Sequence, residues 1–229
     1  MYIKGLQKLT LLDYPDKMAC TVFTAGCNFK CPFCHNASLV FNRDDNRISE
    51  QKFFDFLSKR VGVIDGVCIT GGEPTLQTDI VQFIKKIKEL GFLVKLDTNG
   101  YRPDMLKFLV DNKLIDYVAM DIKNCKEKYP LTSGVENIEV SFIEQSVEYL
   151  LADNVDYEFR TTVVKEYHTL DDMIKIGEWI KGAKKYYLQA FVDSGDLICD
   201  GLSSYDKNDM QNLLNMIKPR IPSTKIRGF

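Results

Sequence analysis

Residues 67–74 read Val-Cys-Ile-Thr-Gly-Gly-Glu-Pro, and this stretch shows the pattern that repeats along the chain. The apolar and β-branched run at 67–70 predicts a buried strand, and the two glycines that follow predict a tight turn. Residues 79–90 then show the apolar spacing of an amphipathic helix. A strand and a helix joined by a polar loop form one β–α unit, and repetition of that unit is typical of parallel sheets.

The chain contains this β–α unit six times, at roughly even spacing. Such units connect by right-handed crossovers, which place the helices on the outer face of the sheet. Six units are too few for a closed eight-stranded barrel, so we predict an α/β fold, an open partial (β/α)6 barrel, with residues 1–229 as a single domain. The predicted strands cover residues 19–24, 67–70, 93–97, 117–121, 156–164 and 186–191; the predicted helices cover 49–60, 79–90, 141–151, 170–181, 204–217 and a segment from 103, and residues 224–227 form a further strand or a tail.

Composition and charge describe an ordinary globular chain. Hydrophobic residues make up 45% of the sequence, the net charge is −2 and the pI is about 5.8. This balance gives no reason to expect nucleic acid or an anionic membrane surface as a partner. No stretch approaches the roughly 20 apolar residues of a membrane span, and the first residues lack the apolar core of a secretory signal. We therefore expect a cytoplasmic protein, in agreement with an odd number of cysteines, seven.

The cysteines give the strongest chemical signal. Cys27, Cys31 and Cys34 fall within eight residues in a CxxxCxxC spacing, whereas the other four are far apart. Three close thiolates can hold a soft metal centre, and three protein ligands on a four-iron cluster leave one iron open. A zinc site completed by His35 or by another group is the alternative, although adjacent Cys34 and His35 would be awkward co-ligands. The other cysteines are expected as small buried hydrophobes, Cys20, Cys68 and Cys199, and as a loop thiol, Cys125.

Several segments together resemble one superfamily. The cysteine motif, ending Cys34-His35-Asn36 and followed by Gly71-Gly72-Glu73-Pro74, resembles the radical S-adenosylmethionine superfamily. Three further segments narrow the resemblance to the activating enzymes of glycyl radical enzymes, and within them to the activating proteins of anaerobic ribonucleoside-triphosphate reductase. These segments are Asp13-Tyr14-Pro15, Asp97-Thr98-Asn99-Gly100 and Met120-Asp121-Ile122-Lys123. The resemblance covers nearly the whole chain.

The resemblance implies a [4Fe–4S] cluster on Cys27, Cys31 and Cys34, with S-adenosylmethionine bound at the open iron. It implies reductive cleavage of that cofactor to methionine and a 5′-deoxyadenosyl radical, which takes a hydrogen atom from a backbone glycine of a partner enzyme. It also implies an electron donor of the flavodoxin or ferredoxin type. Many relatives carry an inserted domain with further cysteine clusters. Because this chain has no second compact cysteine group, we predict a single cluster.

Glycines and polar residues near the predicted strand ends are candidates for binding the cofactor, because active groups gather at the carboxyl ends of parallel strands. Gly71 and Gly72 would let the backbone approach the ligand closely. The resemblance implies that Glu73 accepts a hydrogen bond from the ammonium group of S-adenosylmethionine, and that Phe33 packs near the adenine.

Asp97, Thr98 and Asp121 end two neighbouring predicted strands, so both carboxylates would point into the same mouth of the sheet. The resemblance implies that these three residues hold a monovalent cation near the carboxylate of the cofactor. Taken alone, each of these residues could instead cap the N-terminus of a helix or lie in a turn.

Four further residues are candidate cofactor contacts. Arg160 is unusual inside an apolar strand, and a buried arginine needs an anionic or polar partner. A cofactor carboxylate or ribose hydroxyl would serve, and an internal salt bridge is the alternative. Lys123 could pair with the cofactor carboxylate or lie in solvent, Asn99 could contact the cofactor or form an ordinary Asn-Gly turn, and Gln189 could reach the adenosine.

Three functions from different classes fit these features. The first is an activating enzyme that acts on anaerobic ribonucleotide reductase or on an enzyme of the pyruvate formate-lyase type. The second is a radical enzyme for a small molecule, such as a carboxy-deazaguanine synthase, and the third is a zinc-binding module. The sequence shows no Ser–His–Asp pattern, no GxxxxGK phosphate loop and no HExxH motif, so hydrolase and nucleoside-triphosphatase functions have no support.

Overall fold

The computed structural model describes residues 1–41 and 46–228. Strands and helices alternate along most of this chain. The strands are β1 (Ile3–Thr10), β2 (Ala19–Thr24), β3 (Gly66–Gly71), β4 (Leu93–Thr98), β5 (Tyr117–Asp121), β6 (Asp156–Val163), β7 (Tyr186–Ala190) and β8 (Lys225–Arg227). The helices are α1 (Ala37–Phe41), α2 (Glu50–Ser58), α3 (Ile80–Glu89), α4 (Pro103–Asp111), α5 (Tyr129–Ser133), α6 (Val140–Leu151), α7 (Leu170–Trp179) and α8 (Lys207–Ile217).

These eight strands form one sheet in the order β1 to β8. Strands β2 to β8 are parallel, and β1 pairs antiparallel with β2. The six predicted strands correspond to β2 to β7, and residues Lys225–Arg227 form a further parallel strand. Because β1 and β8 are the two edges, the barrel is not closed, and the prediction of an open α/β partial barrel is confirmed.

Strand β1 was not predicted from the sequence. Of its eight residues only the first and last, Ile3 and Thr10, are buried, and those between are half-buried or exposed. It lies at an edge of the sheet, where backbone hydrogen bonds to β2 hold it. An edge strand with this burial has no apolar alternation, so the period-two test has nothing to detect.

The helices begin and end within a few residues of the predicted positions, and side-chain caps explain two of the shifts. Helix α2 begins one residue after Ser49, whose hydroxyl accepts a hydrogen bond from the amide of Lys52 at 3.2 Å. Helix α8 begins three residues later than predicted, because Asp206 caps it by accepting from the amide of Asp209 at 2.8 Å. In each case a polar side chain satisfies an amide of the first turn.

The two faces of the curved sheet differ in polarity. Outside, the buried face of α3 is apolar, with Ile80, Phe83, Ile84 and Ile87. Because side chains alternate along a strand, Lys95 and Asp97 of β4 face the opposite side from Val94 and Leu96. Polar and charged groups are thereby placed on the concave side. Among the described helices, none has the length and apolar character needed to cross a membrane.

Candidate active site

A cavity of about 310 Å³ lies at the carboxyl ends of the parallel strands. Its volume is at the lower end of the range of roughly 300–1,000 Å³ seen for small-molecule sites. The cysteine loop after β2, together with Val40 of α1, forms one wall, and the ends of β3 to β7 form the rest. The residues singled out from the sequence that line it are Cys27, Cys31, Cys34, Phe33, Gly71, Gly72, Asp97, Thr98, Asn99, Asp121, Lys123, Arg160 and Gln189.

Three thiols converge on this cavity from a single loop. Burial, with a smaller contribution from the Glu73 carboxylate, raises the pKa of Cys27 to about 12. Burial likewise raises the pKa of Cys31 to about 11 and raises that of Cys34. Thiols with raised pKa values are poor nucleophiles, so the three groups suit metal ligation, where the bound metal compensates the thiolate charge, better than covalent catalysis.

The donor set fits an iron–sulfur cluster better than a single metal ion. Within residues 1–41 and 46–228, no three His, Cys, Asp or Glu side chains form a group that could hold one metal ion. Thiolates of a four-iron cluster bind different irons and have no need to converge on one point. His35 lines the cavity, but its ring packs against Phe191 with centroids 5.5 Å apart. The zinc alternative therefore finds no support in this geometry.

Gly71 and Gly72 are required by close backbone packing. A Cβ on Gly71, where φ is +126°, would lie 2.2 Å from the amide nitrogen of Thr24, and one on Gly72 would lie 1.9 Å from the carbonyl oxygen of Gly26. The amide of Gly72 donates to Thr24 at 3.0 Å. The end of β3 is thus pressed against the segment that leads into the cysteine loop, and the glycines serve this contact as well as lining the cavity.

Glu73 is the one candidate that does not line the cavity. Its side chain is completely buried, and its carboxylate accepts hydrogen bonds from Thr75, from the hydroxyl of Thr98 at 2.9 Å and from the amide of Asn99 at 2.7 Å. Glu73 therefore joins the end of β3 to the end of β4. In this position the carboxylate connects the two strand ends behind the wall, and its contact with the ammonium group of the cofactor stays a prediction.

Arg160 is the centre of a buried charged network. Its Nε donates to Asp121 at 2.9 Å and its Nη1 donates to Asp97 at 3.1 Å. Lys95 pairs with Asp97, and Lys123 donates to Asp121 at 3.0 Å. The internal salt bridge that the sequence left open as an alternative is thus present, and Arg160 still lines the cavity.

The network keeps both carboxylates ionised. Burial alone would raise the pKa of Asp121, but Arg160 and Lys123 outweigh it and lower this pKa to about 2. Burial alone would also raise the pKa of Asp97, but Arg160 and Lys95 outweigh it, so this pKa is lowered. Burial would lower the pKa of Lys123, yet Asp121 and the neighbouring thiol of Cys31 raise it.

The same network bears on the predicted monovalent cation site. Asp97 and Asp121, which were expected to hold the cation with Thr98, already face lysine or arginine side chains. The Thr98 hydroxyl donates to Glu73. An added cation would meet positive side chains at close range, and the cation site stays a prediction.

Phe33 and the two histidines occupy distinct positions. Phe33 is buried in the wall of the cavity, and its ring packs against Tyr167 and His168, with centroids 5.9 and 5.8 Å apart. His168 is completely buried and contacts the carbonyl of Lys123 through Nε2 at 2.8 Å. His168 is therefore structural, whereas His35 lies at the cavity.

Polar side chains of this region that were not predicted include Thr70, Thr162 and Lys95. Thr162 lines the cavity, and it lies two residues after Arg160 on the same face of β6. Lys95 is buried two residues before Asp97 on β4. Strand alternation was the available signal, because residues two apart on a strand point to the same side.

The remaining cysteines differ in part from expectation. Cys20 and Cys68 are fully buried, as predicted. Cys199 is exposed, which contradicts its predicted burial, because the segment between β7 and α8 runs over the surface. Cys125 lies in a loop as predicted, but it is buried, with its sulfur 3.6 Å from the carboxylate of Asp172.

Comparison with known proteins identifies relatives over most of the chain. The model of the Radical SAM superfamily matches residues 21–180. A protein of Methanocaldococcus jannaschii that carries the provisional name glycyl-radical enzyme activating enzyme is 34% identical over 234 aligned residues, which cover 98% of this chain and 95% of that protein.

Solved structures share the fold. SuiB of Streptococcus suis bound to S-adenosylmethionine superposes with a TM-score of 0.70 at 17% identity, over 90% of this chain and 49% of that chain. A domain of a pyruvate-formate lyase-activating enzyme from Bacteroides vulgatus superposes with a TM-score of 0.58 at 14% identity, over 72% of this chain and 99% of that one. The chain thus spans about half the length of SuiB, and at these identities the likeness concerns the fold alone.

The cofactors of the superfamily are a [4Fe–4S] cluster and S-adenosylmethionine. The cavity suits them, since it combines three thiols in one loop with charged and amide groups at the strand ends. By its family match, its full-length relative and its fold, this chain belongs to the radical SAM superfamily and, within it, to the glycyl-radical enzyme activating enzymes.

Proposed function

We propose that this enzyme, acting as a single domain in the cytoplasm, generates a glycyl radical on anaerobic ribonucleoside-triphosphate reductase. The observation that carries the proposal is the convergence of Cys27, Cys31 and Cys34 with the strand-end polar groups on one cavity. The choice of the reductase is supported by the resemblance of the Asp-Thr-Asn-Gly segment at 97–100 and the Met-Asp-Ile-Lys segment at 120–123. An electron donor of the flavodoxin or ferredoxin type is part of the proposal.

When bound, the cluster and S-adenosylmethionine would supply one-electron reductive cleavage. The thiols of Cys27, Cys31 and Cys34 would hold the cluster. Lys123 and Arg160 line the cavity, where Asp97 and Asp121 balance their charge. Their ammonium and guanidinium groups would donate hydrogen bonds to the carboxylate of the cofactor.

Other parts of the wall orient the remainder of the cofactor. The backbone of Gly71 and Gly72 lies at the cavity without side chains in the way. Phe33 supplies an apolar surface for the adenine, and its packing against Tyr167 and His168 keeps its ring in place. Gln189 offers its amide group from the end of β7, and Asn99, whose amide contacts Asn28 and Cys27, lines the wall at the end of β4. Together these groups select a ligand with charged, apolar and hydrogen-bonding parts.

Electron paramagnetic resonance tests the proposed partner directly. Reduced, cluster-loaded enzyme is mixed anaerobically with S-adenosylmethionine and the anaerobic reductase, and the spectrum is searched for the doublet of a glycyl radical. A reductase in which the radical-bearing glycine is replaced by alanine is the control. We expect the doublet when the natural reductase is present and no doublet with the alanine variant of the reductase.

Two results would redirect the proposal. A doublet on an enzyme of the pyruvate formate-lyase type, with none on the reductase, would reassign the partner. Rapid multiple turnover of a small molecule such as a carboxy-deazaguanine precursor, without any protein partner, would contradict a role as an activating enzyme.

A further inference from the structure

Two asparagine side chains lie beside the first cysteine of the loop. Asn28 follows Cys27 directly, and Asn99 lies in the turn after β4 and is 6% exposed. The Nδ2 atom of Asn99 lies 2.8 Å from Oδ1 of Asn28 and 3.9 Å from Sγ of Cys27. The two amides therefore form a pair that contacts a cluster ligand.

Hydrogen bonds fix the orientation of both amides. The Oδ1 atom of Asn99 accepts from the backbone amide of Tyr101 at 3.0 Å. Its Nδ2 must therefore face Asn28 and Cys27. Asn28 can accept this donor only through Oδ1, so the Nδ2 of Asn28 has to point elsewhere. Reversing either amide would place two donors against each other.

The Nδ2 of Asn28 is then a buried donor with no hydrogen-bond partner among the described residues. An unsatisfied buried donor costs roughly 1–3 kcal/mol, and because Asn28 directly follows Cys27, a sulfur of a cluster held by that cysteine would be a nearby acceptor. The neighbouring sulfur of Cys27 already accepts from the amide of Phe29 at 3.4 Å. Donors thus gather around the first cluster ligand, and a cluster bound there carries negatively charged sulfur acceptors.

We propose that Asn28 and Asn99 act as one positioning unit that sets the reduction potential of the cluster. Asn99 donates to the thiolate of Cys27, and Asn28 donates its free Nδ2 to a sulfur of the bound cluster. Hydrogen bonds to cluster sulfurs tune the potential, and they favour the reduced form because it carries one more negative charge. The pair therefore makes it easier for a low-potential donor to deliver its electron. This role is independent of which partner receives the radical.

The variants Asn28→Leu, Asn99→Leu and their combination test this unit. Leucine keeps the approximate volume and removes the amide. The midpoint potential of the cluster is measured by a redox titration followed by electron paramagnetic resonance, without S-adenosylmethionine. We expect each single variant to lower the equilibrium constant for reduction about tenfold, a shift of about 59 mV to more negative potential for one electron. The double variant shifts by less than the sum, because coupled neighbours are not additive.

Controls separate this role from a disturbed loop. Iron and sulfide content checks that each variant is loaded, and Asn137→Leu, at an exposed loop position, should leave the potential unchanged. Where Asn28→Leu fails to load, Asn28→Asp keeps the acceptor for Asn99, replaces the donor with a carboxylate and should also lower the potential. Fully loaded Asn28 variants with an unchanged potential would overturn the proposal. An unchanged potential with weaker binding of S-adenosylmethionine would overturn it as well, by assigning the donor to the cofactor.

Discussion

Arg160 is the residue on which the charged side of the cavity depends. Its guanidinium reaches Asp97 and Asp121 through different nitrogens, and its side chain is 14% exposed. The planar group with several donors can serve two carboxylates at once, whereas the single ammonium of lysine acts as a point charge. Two strands, β4 and β5, are thereby tied to β6.

The first prediction concerns Arg160→Lys. We expect a loss of about 2 kcal/mol in the free energy of unfolding, less than the roughly 3–5 kcal/mol for breaking a fully buried pair, because Asp121 is partly exposed. Urea denaturation measures the loss. Arg102→Lys is the matched control, since Arg102 forms an exposed pair with Asp104 and exposed pairs contribute about 0–1 kcal/mol. Equal losses in the two variants would contradict the role of Arg160.

Asp121 gives the second prediction, a dependence of stability on pH. Its pKa is about 2 in the folded protein, against an ordinary value of 3.8. A lowered folded pKa contributes stability that is present above the ordinary value and is lost as the pH falls toward 2. In Asp121→Asn, the free energy of unfolding should therefore fall less steeply between about pH 4 and pH 2. Unfolding curves at several pH values measure the slope, and parallel slopes in both proteins would refute this assignment.

Among the contacts between elements, the one between the end of β3 and the segment before the cysteine loop determines where that loop lies. The carbonyl oxygen of Gly26 accepts from the amide of Glu73 at 2.8 Å, and the carbonyl of Thr24 accepts from Gly72. This contact places the first wall of the cavity against the loop that carries Cys27. The loop is therefore positioned by the sheet through its backbone.

The third prediction is that Gly72→Ala disturbs this contact. The added Cβ would lie 1.9 Å from a backbone oxygen, and we expect a loss of about 1–3 kcal/mol, the usual cost of overpacking, together with reduced cluster loading. Gly177→Ala is the control, because its Cβ would meet the flexible side chain of Arg220 at 3.2 Å and Ile217 at an ordinary contact distance of 3.6 Å, and alanine favours a helix. Denaturation and iron content measure both effects. Full loading and unchanged stability in Gly72→Ala would show that the contact is dispensable.

The strands differ in how far the sequence alone predicts them. Strands β2 to β7 were predictable because apolar side chains mark them, and the strand-end residues were predictable because loops follow those strands. Strand β1 was not, since an edge strand is held by its backbone. The role of Glu73 was hidden for a related reason: its partners Thr98 and Asn99 are distant in sequence and meet it only after folding.

At the scale of the whole molecule, the open sheet brings one cysteine loop and five strand ends around a single cavity. The cysteine motif was readable from spacing alone, whereas the pairing of Arg160 with two carboxylates required the parallel register of β4, β5 and β6. The central claim is that this assembly holds one [4Fe–4S] cluster on Cys27, Cys31 and Cys34 and uses it to cleave S-adenosylmethionine.

The most direct test is iron and sulfide analysis of anaerobically prepared protein, combined with detection of 5′-deoxyadenosine after addition of reductant and S-adenosylmethionine. The account predicts about four irons and four sulfides per chain, with 5′-deoxyadenosine formed by the natural protein. Cys31→Ala should lose both the cluster and the product, whereas Cys20→Ala, at a buried cysteine outside the loop, should retain them. One zinc and no sulfide per chain, or product formation by Cys31→Ala, would contradict the account.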